Sequence, residues 1–316
     1  MPFGRRTGAP EGGRFPSKAA TPFGGRPTRA GDPWPDARVL RLGAFRVAYR
    51  ELHEDAAPAA LLVHGLGSSG HSFVRCWEAI ANVGVRRRVL VPDLPGFGES
   101  DKRRYRYTIP FWAERLLKLL DARGIERADI VGHSMGAQIA LWLALHHPDR
   151  LRRLVLVSPA GIERFNGAQR RILQAAVTAG WVRRQGARQV RAQIAMAFYR
   201  VPAEADWIVA RRLALQGPEL DGYAHAFAAG VRAMLAAPVI DRLGEIRART
   251  LVVMGQDDAL VPNRLFRPQG SAGYVGRRAA QAIPGAELVM LQQTGHLVPF
   301  ERPAELTDHV TSFLDR

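Results

Sequence analysis

The sequence predicts an α/β fold: a mostly parallel, eight-stranded sheet flanked by helices, with a helical segment inserted late in the chain. Three observations predict it. Short Val/Leu-rich runs alternate with segments of helical period, as βαβ units require. The runs are Val/Leu-rich and fairly uniform, as expected of parallel strands covered on both faces. The alternation then stops between Gly161 and Ile246, where helical patterns continue without a convincing strand.

Residues 1–36 hold seven Gly and seven Pro, several Arg and almost no aliphatic pattern, so they read as a disordered tail. An Arg-rich, acid-poor start also suits an organelle transit peptide. Gly and Pro at this density oppose the amphipathic helix such peptides need. Val39–Leu42 and Phe45–Tyr49 read as a hairpin around Gly43. Ala60–His64, Arg88–Asp93, Ala128–Gly132, Leu151–Ser158, Arg249–Gly255 and Ala286–Leu291 supply six further strands.

Between them, Tyr107–Gly124 carries Trp112, Leu116, Leu117 and Leu120 at helical spacing. Met135–His147 carries Ile139, Leu141, Trp142 and Leu145. Arg302–Leu314 has Pro303 near its start, where a missing N–H is harmless. In the late segment, Val190, Ile194 and Phe198 form one stripe, and Ile208, Leu213 and Leu215 suggest another helix. Lying between two core strands, residues 161–246 should cap the sheet as a lid, with 37–160 and 247–316 forming the core.

Composition bounds the function. With 316 residues, 47% of them hydrophobic, the chain can bury one large core. Its single cysteine, Cys76, excludes an intrachain disulfide and carries no thiol-enzyme signature. No apolar run approaches the ~18 residues of a membrane helix, and the start lacks a signal-peptide core. A cytoplasmic protein is the resulting expectation. The net charge of +16 suggests nucleic acid, but only Lys18, Lys102 and Lys118 are lysines among 45 basic residues. That ratio reflects an Arg-rich composition, and no nucleic-acid motif accompanies it. No His/Cys cluster or H-E-x-x-H predicts a metal, and no cofactor motif is present.

The chemistry is carried by Gly132-His133-Ser134-Met135-Gly136, which fits G-x-S-x-G between a predicted strand and a predicted helix. A sharp turn there strains the serine backbone and lifts its hydroxyl above the sheet, while the flanking glycines remove clashing side chains. Alone, the pentapeptide also suits an N-capping serine. A serine hydroxyl is a weak nucleophile, so catalysis needs a base and oxyanion donors elsewhere.

With these motifs in hand, the chain resembles the α/β-hydrolase superfamily from Arg38 to the C-terminus, and specifically its serine-nucleophile, carboxylesterase- and lipase-like members with a helical cap. His64-Gly65-Leu66-Gly67 resembles the family's oxyanion loop, and Asp93-Leu94-Pro95-Gly96-Phe97-Gly98-Glu99-Ser100 the turn after its fourth strand. Gly255–Pro262 resembles the acid loop. Thr294-Gly295-His296 resembles the histidine loop, followed by Pro299, Glu301 and Pro303 in the usual way.

The resemblance implies Ser134 as nucleophile, His296 as base, and the backbone N–H groups of Leu66 and Met135 as oxyanion donors. It places the acid three residues after the glycine and four before the proline. Gly255 and Pro262 thereby select Asp258, with Asp257 as runner-up. His64 and His133 are expected to support loop backbones, and Asp93 to bond loop N–H groups. Ser134 at the elbow disfavours the aspartate-nucleophile branches of the superfamily.

The implied reaction is hydrolysis of a carboxylic ester of an apolar small molecule, with no metal or cofactor. C–C bond hydrolysis, thioester hydrolysis and acyl transfer remain open on the same triad, as does a receptor that keeps it. C–C hydrolases of the family often carry Trp after the histidine, where this chain has Leu297. From Arg164 to Arg200 there are eight arginines and no acid, interleaved with Ile172, Leu173, Val177, Trp181, Val190, Ile194 and Phe198. This is either a basic amphipathic surface for peripheral membrane contact or a solvated arginine face over a buried stripe, and the second reading is preferred. Oligomeric state is not encoded in these patterns.

Overall fold

The glycine-bounded apolar runs become the strands of one sheet. In the computed structural model, which describes residues 35–202, 205–267 and 270–316, these are β1 (Arg38–Leu42), β2 (Phe45–Leu52), β3 (Ala59–Val63), β4 (Arg88–Pro92), β5 (Ala128–His133), β6 (Leu151–Val157), β7 (Arg249–Gly255) and β8 (Glu287–Leu291). The order across the sheet is β1-β2-β4-β3-β5-β6-β7-β8. β1 and β2 pair antiparallel, as does β2 with β4; every other pairing is parallel. The expected 1–36 tail lies outside the described residues except for its last two positions.

The uniform apolarity of the strands has a direct consequence. Leu61 and Val63 of β3 pack into one core layer, Ala60 and Leu62 into the other. Alternate side chains point to opposite faces, so both faces are buried. One layer is closed by helices α1 (Trp77–Asn82) and, at the C-terminus, α11 (Pro303–Asp315). The other is closed by α2 (Ile109–Ala122), α3 (Met135–His146) and α9 (Ala272–Ala282). Thr108 caps α2 by accepting the Phe111 N–H, and Pro303 occupies the first turn of α11 as expected.

Between β6 and β7 lie α4 (Gly167–Ala176), α5 (Ala179–Arg183), α6 (Ala187–Ala195), α7 (Ala205–Leu213) and α8 (Gly217–Ala236). A four-residue α10 (Val298–Glu301) follows the histidine loop. The described residues all belong to one compact unit. α8, the longest helix, was not anticipated from the sequence. Seven of its nine buried residues are alanine or glycine, which carry little hydrophobic periodicity, yet Tyr223, Ala224, Ala226, Ala229 and Ala233 join the main core.

The expected buried stripe of the arginine-rich stretch is only partly present. Val190 and Phe198 are buried, but Ile172 and Trp181 are exposed. α4 buries no residue, because of these elements it packs substantially against α8 alone. Three arginines of the 164–200 stretch pair with acids outside it: Arg164 with Asp241, Arg183 with Asp221 and Arg191 with Asp206. Such exposed pairs add little stability, but they balance charge locally.

Candidate active site

Ser134 follows β5 and opens α3 with φ 54° and ψ −116°, a left-handed conformation costly for a side chain bearing Cβ. The surrounding glycines explain why it is tolerated. A Cβ on Gly132 would lie 2.6 Å from Gly136 O, and one on Gly136 would lie 2.2 Å from Val63 O. No other residue permits this approach of β3, β5 and α3. Ser134 itself is half-buried, at the top of an otherwise closed junction.

The turn after β3 presses against this elbow: a Cβ on Gly65 would stand 3.0 Å from Ser134 Cβ. Its closing bond runs from Ser68 N–H to Gly65 O, so the N–H of Leu66, a middle residue, is not used by the turn. Gly67 supplies the positive φ of 70° the turn needs. Met135 opens α3, and its N–H is among those that a helix start leaves without an intrahelical acceptor. Gly230 of α8 packs against both: a Cβ there would sit 2.4 Å from Leu66 Cδ1 and 3.5 Å from Met135 Sδ.

Asp258 and His296 meet beside the elbow. The His296 Nδ1 lies 2.7 Å from Asp258 Oδ2, and both residues are buried. Asp258 Oδ1 accepts the N–H groups of Leu260 and Val261 at 2.8 and 2.9 Å. Burial pushes the Asp258 carboxyl up, but His296 and the two N–H donors outweigh it and hold its pKa below the ordinary value. The carboxylate therefore stays charged and fixes the ring. Asp257, the runner-up, is exposed, and its backbone N–H is bound to Thr294 O.

His133 donates Nε2–H to His296 O at 2.8 Å, with the rings 4.9 Å apart. Burial, then the neighbouring His296, lowers the His133 pKa to about 3. It is neutral near pH 7, a single-proton donor to the histidine loop. His64 Nδ1 contacts Gly65 O at 2.8 Å, and its Nε2 accepts the Leu94 N–H, linking the two loops after β3 and β4. Asp93 accepts the N–H groups of Gly70 and Glu99. Sequence reasoning left Glu301 as a motif position without a role. In the structure its carboxylate accepts the N–H of Gly295. The Glu-x-Pro that follows the histidine was the only signal.

A family profile described as alpha/beta hydrolase fold matches residues 58–303. A 2-hydroxymuconate semialdehyde hydrolase of Pseudomonas putida is 30% identical over 269 residues, covering 81% of this chain and 86% of the relative. A putative carbamate hydrolase of Caulobacter sp. strain K31 is 29% identical, covering 87% of this chain and 98% of the relative. Among solved structures, the enol-lactonase of Burkholderia xenovorans LB400 superposes with a TM-score of 0.71 at 26% identity, over 88% of this chain and 100% of that one. With an eight-stranded sheet of this order and a family match spanning most of its length, the chain belongs to the α/β hydrolases.

Proposed function

We propose that this hydrolase cleaves a carboxylic ester of an apolar small molecule through an acyl-enzyme, with Ser134 as nucleophile, His296 as base and Asp258 as the acid that orients it. The observation that carries the reading is the buried 2.7 Å Asp258–His296 contact next to a serine held at positive φ. His296 takes the Ser134 proton as Oγ attacks the carbonyl. The N–H groups of Leu66 and Met135 hold the oxyanion. His296 then protonates the leaving alcohol, and a water deprotonated by the same ring releases the acid. Leu66, Met135 and Phe227 give the surroundings apolar character; a Cβ on Gly67 would stand 2.6 Å from the Phe227 ring. The 161–246 segment serves as the lid over this site.

A second reading, C–C bond hydrolysis on the same triad, is favoured by the relatives. Among them a muconate semialdehyde and a carbamate hydrolase stand beside a lactonase, so one framework serves carbonyl compounds of several kinds. Leu297 in place of the usual Trp is what keeps the ester reading first. Among the described residues no helix is long and apolar enough to cross a membrane. Peripheral contact through exposed Ile172 and Trp181 and their arginine neighbours is a subsidiary expectation.

The test is hydrolysis of p-nitrophenyl esters from acetate to palmitate, with a ring-cleavage-type dienoate run in parallel. Ser134→Ala should lower kcat by at least about 10³-fold while leaving the melting curve unchanged. Ester turnover unaffected by that substitution sinks the triad reading. Turnover of the dienoate alone transfers the assignment to C–C cleavage.

A further inference from the structure

His296 is held at more points than its ring. Its N–H and that of Leu297 both donate to Ala197 O, at 2.8 and 3.0 Å. Ala197 belongs to the connection between α6 and α7, about a hundred residues away in the chain. Glu301 completes the junction. One carboxylate oxygen accepts the Gly295 N–H at 2.8 Å; the other accepts the N–H groups of Tyr199 and Arg200 at 3.0 and 3.1 Å. The two segments are in backbone contact, since a Cβ on Gly295 would stand 2.5 Å from Tyr199 N. Three N–H donors from two segments thus converge on one half-buried carboxylate, directly behind the candidate base.

We propose that Glu301 is a positioning residue for His296, pinning the α6–α7 connection to the histidine loop so that the ring is aligned only while that connection is seated. The inference rests on the triad reading above. Its physical basis is the difference between the two carboxylate oxygens and what an amide could offer. A carboxylate accepts on both oxygens, whereas an amide presents one oxygen and one NH2 group, which repels a facing N–H. Glu301→Gln therefore keeps the size of the side chain and breaks one arm of the bridge. A displacement of the ring by a fraction of an ångström is enough to slow proton transfer from Ser134.

The experiment measures the rate at which a fluorophosphonate labels Ser134, its end-point, and kcat and KM for p-nitrophenyl butyrate. Wild type, Glu301→Gln and Glu301→Ala are compared alongside their melting curves. The expected result is a fall of about ten- to a hundredfold in both labelling rate and kcat per labelled site, with KM within about twofold. A carboxylate that only supports the fold would lower the labelled fraction and the melting temperature and leave the rate per labelled site at the wild-type value. That outcome overturns the proposal. Should Glu301→Ala fail to fold, Glu301→Gln decides alone. If wild-type Ser134 is not labelled at all, the triad reading falls and takes this one with it. If the wild type labels and Glu301→Gln labels equally fast, the positioning role alone falls.

Discussion

Helix α8 is packed closely into the main core along its length, whereas α6 and α7 bury few side chains and are tied down chiefly at the connection between them. A Cβ on Gly222 of α8 would lie 1.8 Å from the carbonyl oxygen of Lys102, and Ala226 Cβ leaves only 2.4 Å for one on Gly96. Nine residues of α8 are buried. In α6 only Val190 is buried, and in α7 only Ala205 and Val209. Their link to the histidine loop is the hydrogen bonding at Ala197, Tyr199 and Arg200 together with a small separate cluster of Phe198, Ala205 and Phe300. The His71 and Trp207 rings meet beside it at a tilt of 53°, and Trp207 in turn faces Phe300. Two pieces of one 86-residue stretch are therefore secured by different physics. One is close-packed into the main core and forms a fixed wall beside Leu66 and Met135. The other rides on a small patch and should open at a fraction of the global cost, as local unfolding units do.

The largest effect should come from forcing α8 off. Gly222→Val places a branched side chain against the Lys102 carbonyl, and about 3–5 kcal/mol of global stability should be lost, read from the urea midpoint. A loss under about 1 kcal/mol would mean that α8 can shift and that its wall is not fixed.

Acid should loosen the other side. His133 is held neutral, with its pKa near 3 in the fold against about 6.5 unfolded. The unfolded state binds the extra proton between these values, so stability is full above about pH 6.5 and falls as pH drops toward 3. The slope for one such group is at most about 1.4 kcal/mol per pH unit. Burial lowers the pKa of His64 as well, so part of the slope is its own. His133→Gln retains an N–H donor for His296 O and should recover about 2 kcal/mol of the loss between pH 7 and pH 5, measured by urea titration at each pH. An identical slope in the variant would show that His133 is not the group responsible.

Phe198→Ala should have the smallest global effect, about 1–2 kcal/mol, because the α6–α7 half opens locally first. Amide exchange over 187–213 should quicken sharply while α8 stays protected. Equal acceleration in both halves would erase the distinction between them.

Much of the fold could be read directly from the chain. All eight strands coincide with apolar runs bounded by Gly, Pro or a polar residue, within two residues at each end except at β2, which runs three residues further. α2 and α3 follow the Leu, Ile and Trp spacing read from the chain, and α11 starts at the expected Pro303. Two of the helices that were missed share a cause. α8 buries mostly Ala and Gly, and α1 has six residues, so neither shows a strong apolar period, whereas α9 is amphipathic and buries Val275 among small residues. Ile172 and Trp181 misled in the opposite sense. Apolar residues at helical spacing suggested burial, but α4 and α5 sit at the rim and leave them in solvent.

Sequence by itself determined the sheet, the strained turn at Ser134 and the loop that carries Asp258, because each depends on residues a few positions apart. Steric permission at Gly132 and Gly136 is a local property, and so is the spacing from Gly255 to Pro262. Tertiary structure alone decided that α8 belongs to the main core, that the backbone His133 supports is that of His296, and that Glu301 joins two loops. Each of these contacts spans about a hundred residues or more, from Ala226 to Gly96, from His133 to His296 and from Tyr199 to Glu301. No periodicity records such a meeting. It follows only when the sheet has brought the ends of its strands to one edge, and the buried N–H and C=O groups gathered there must then find partners.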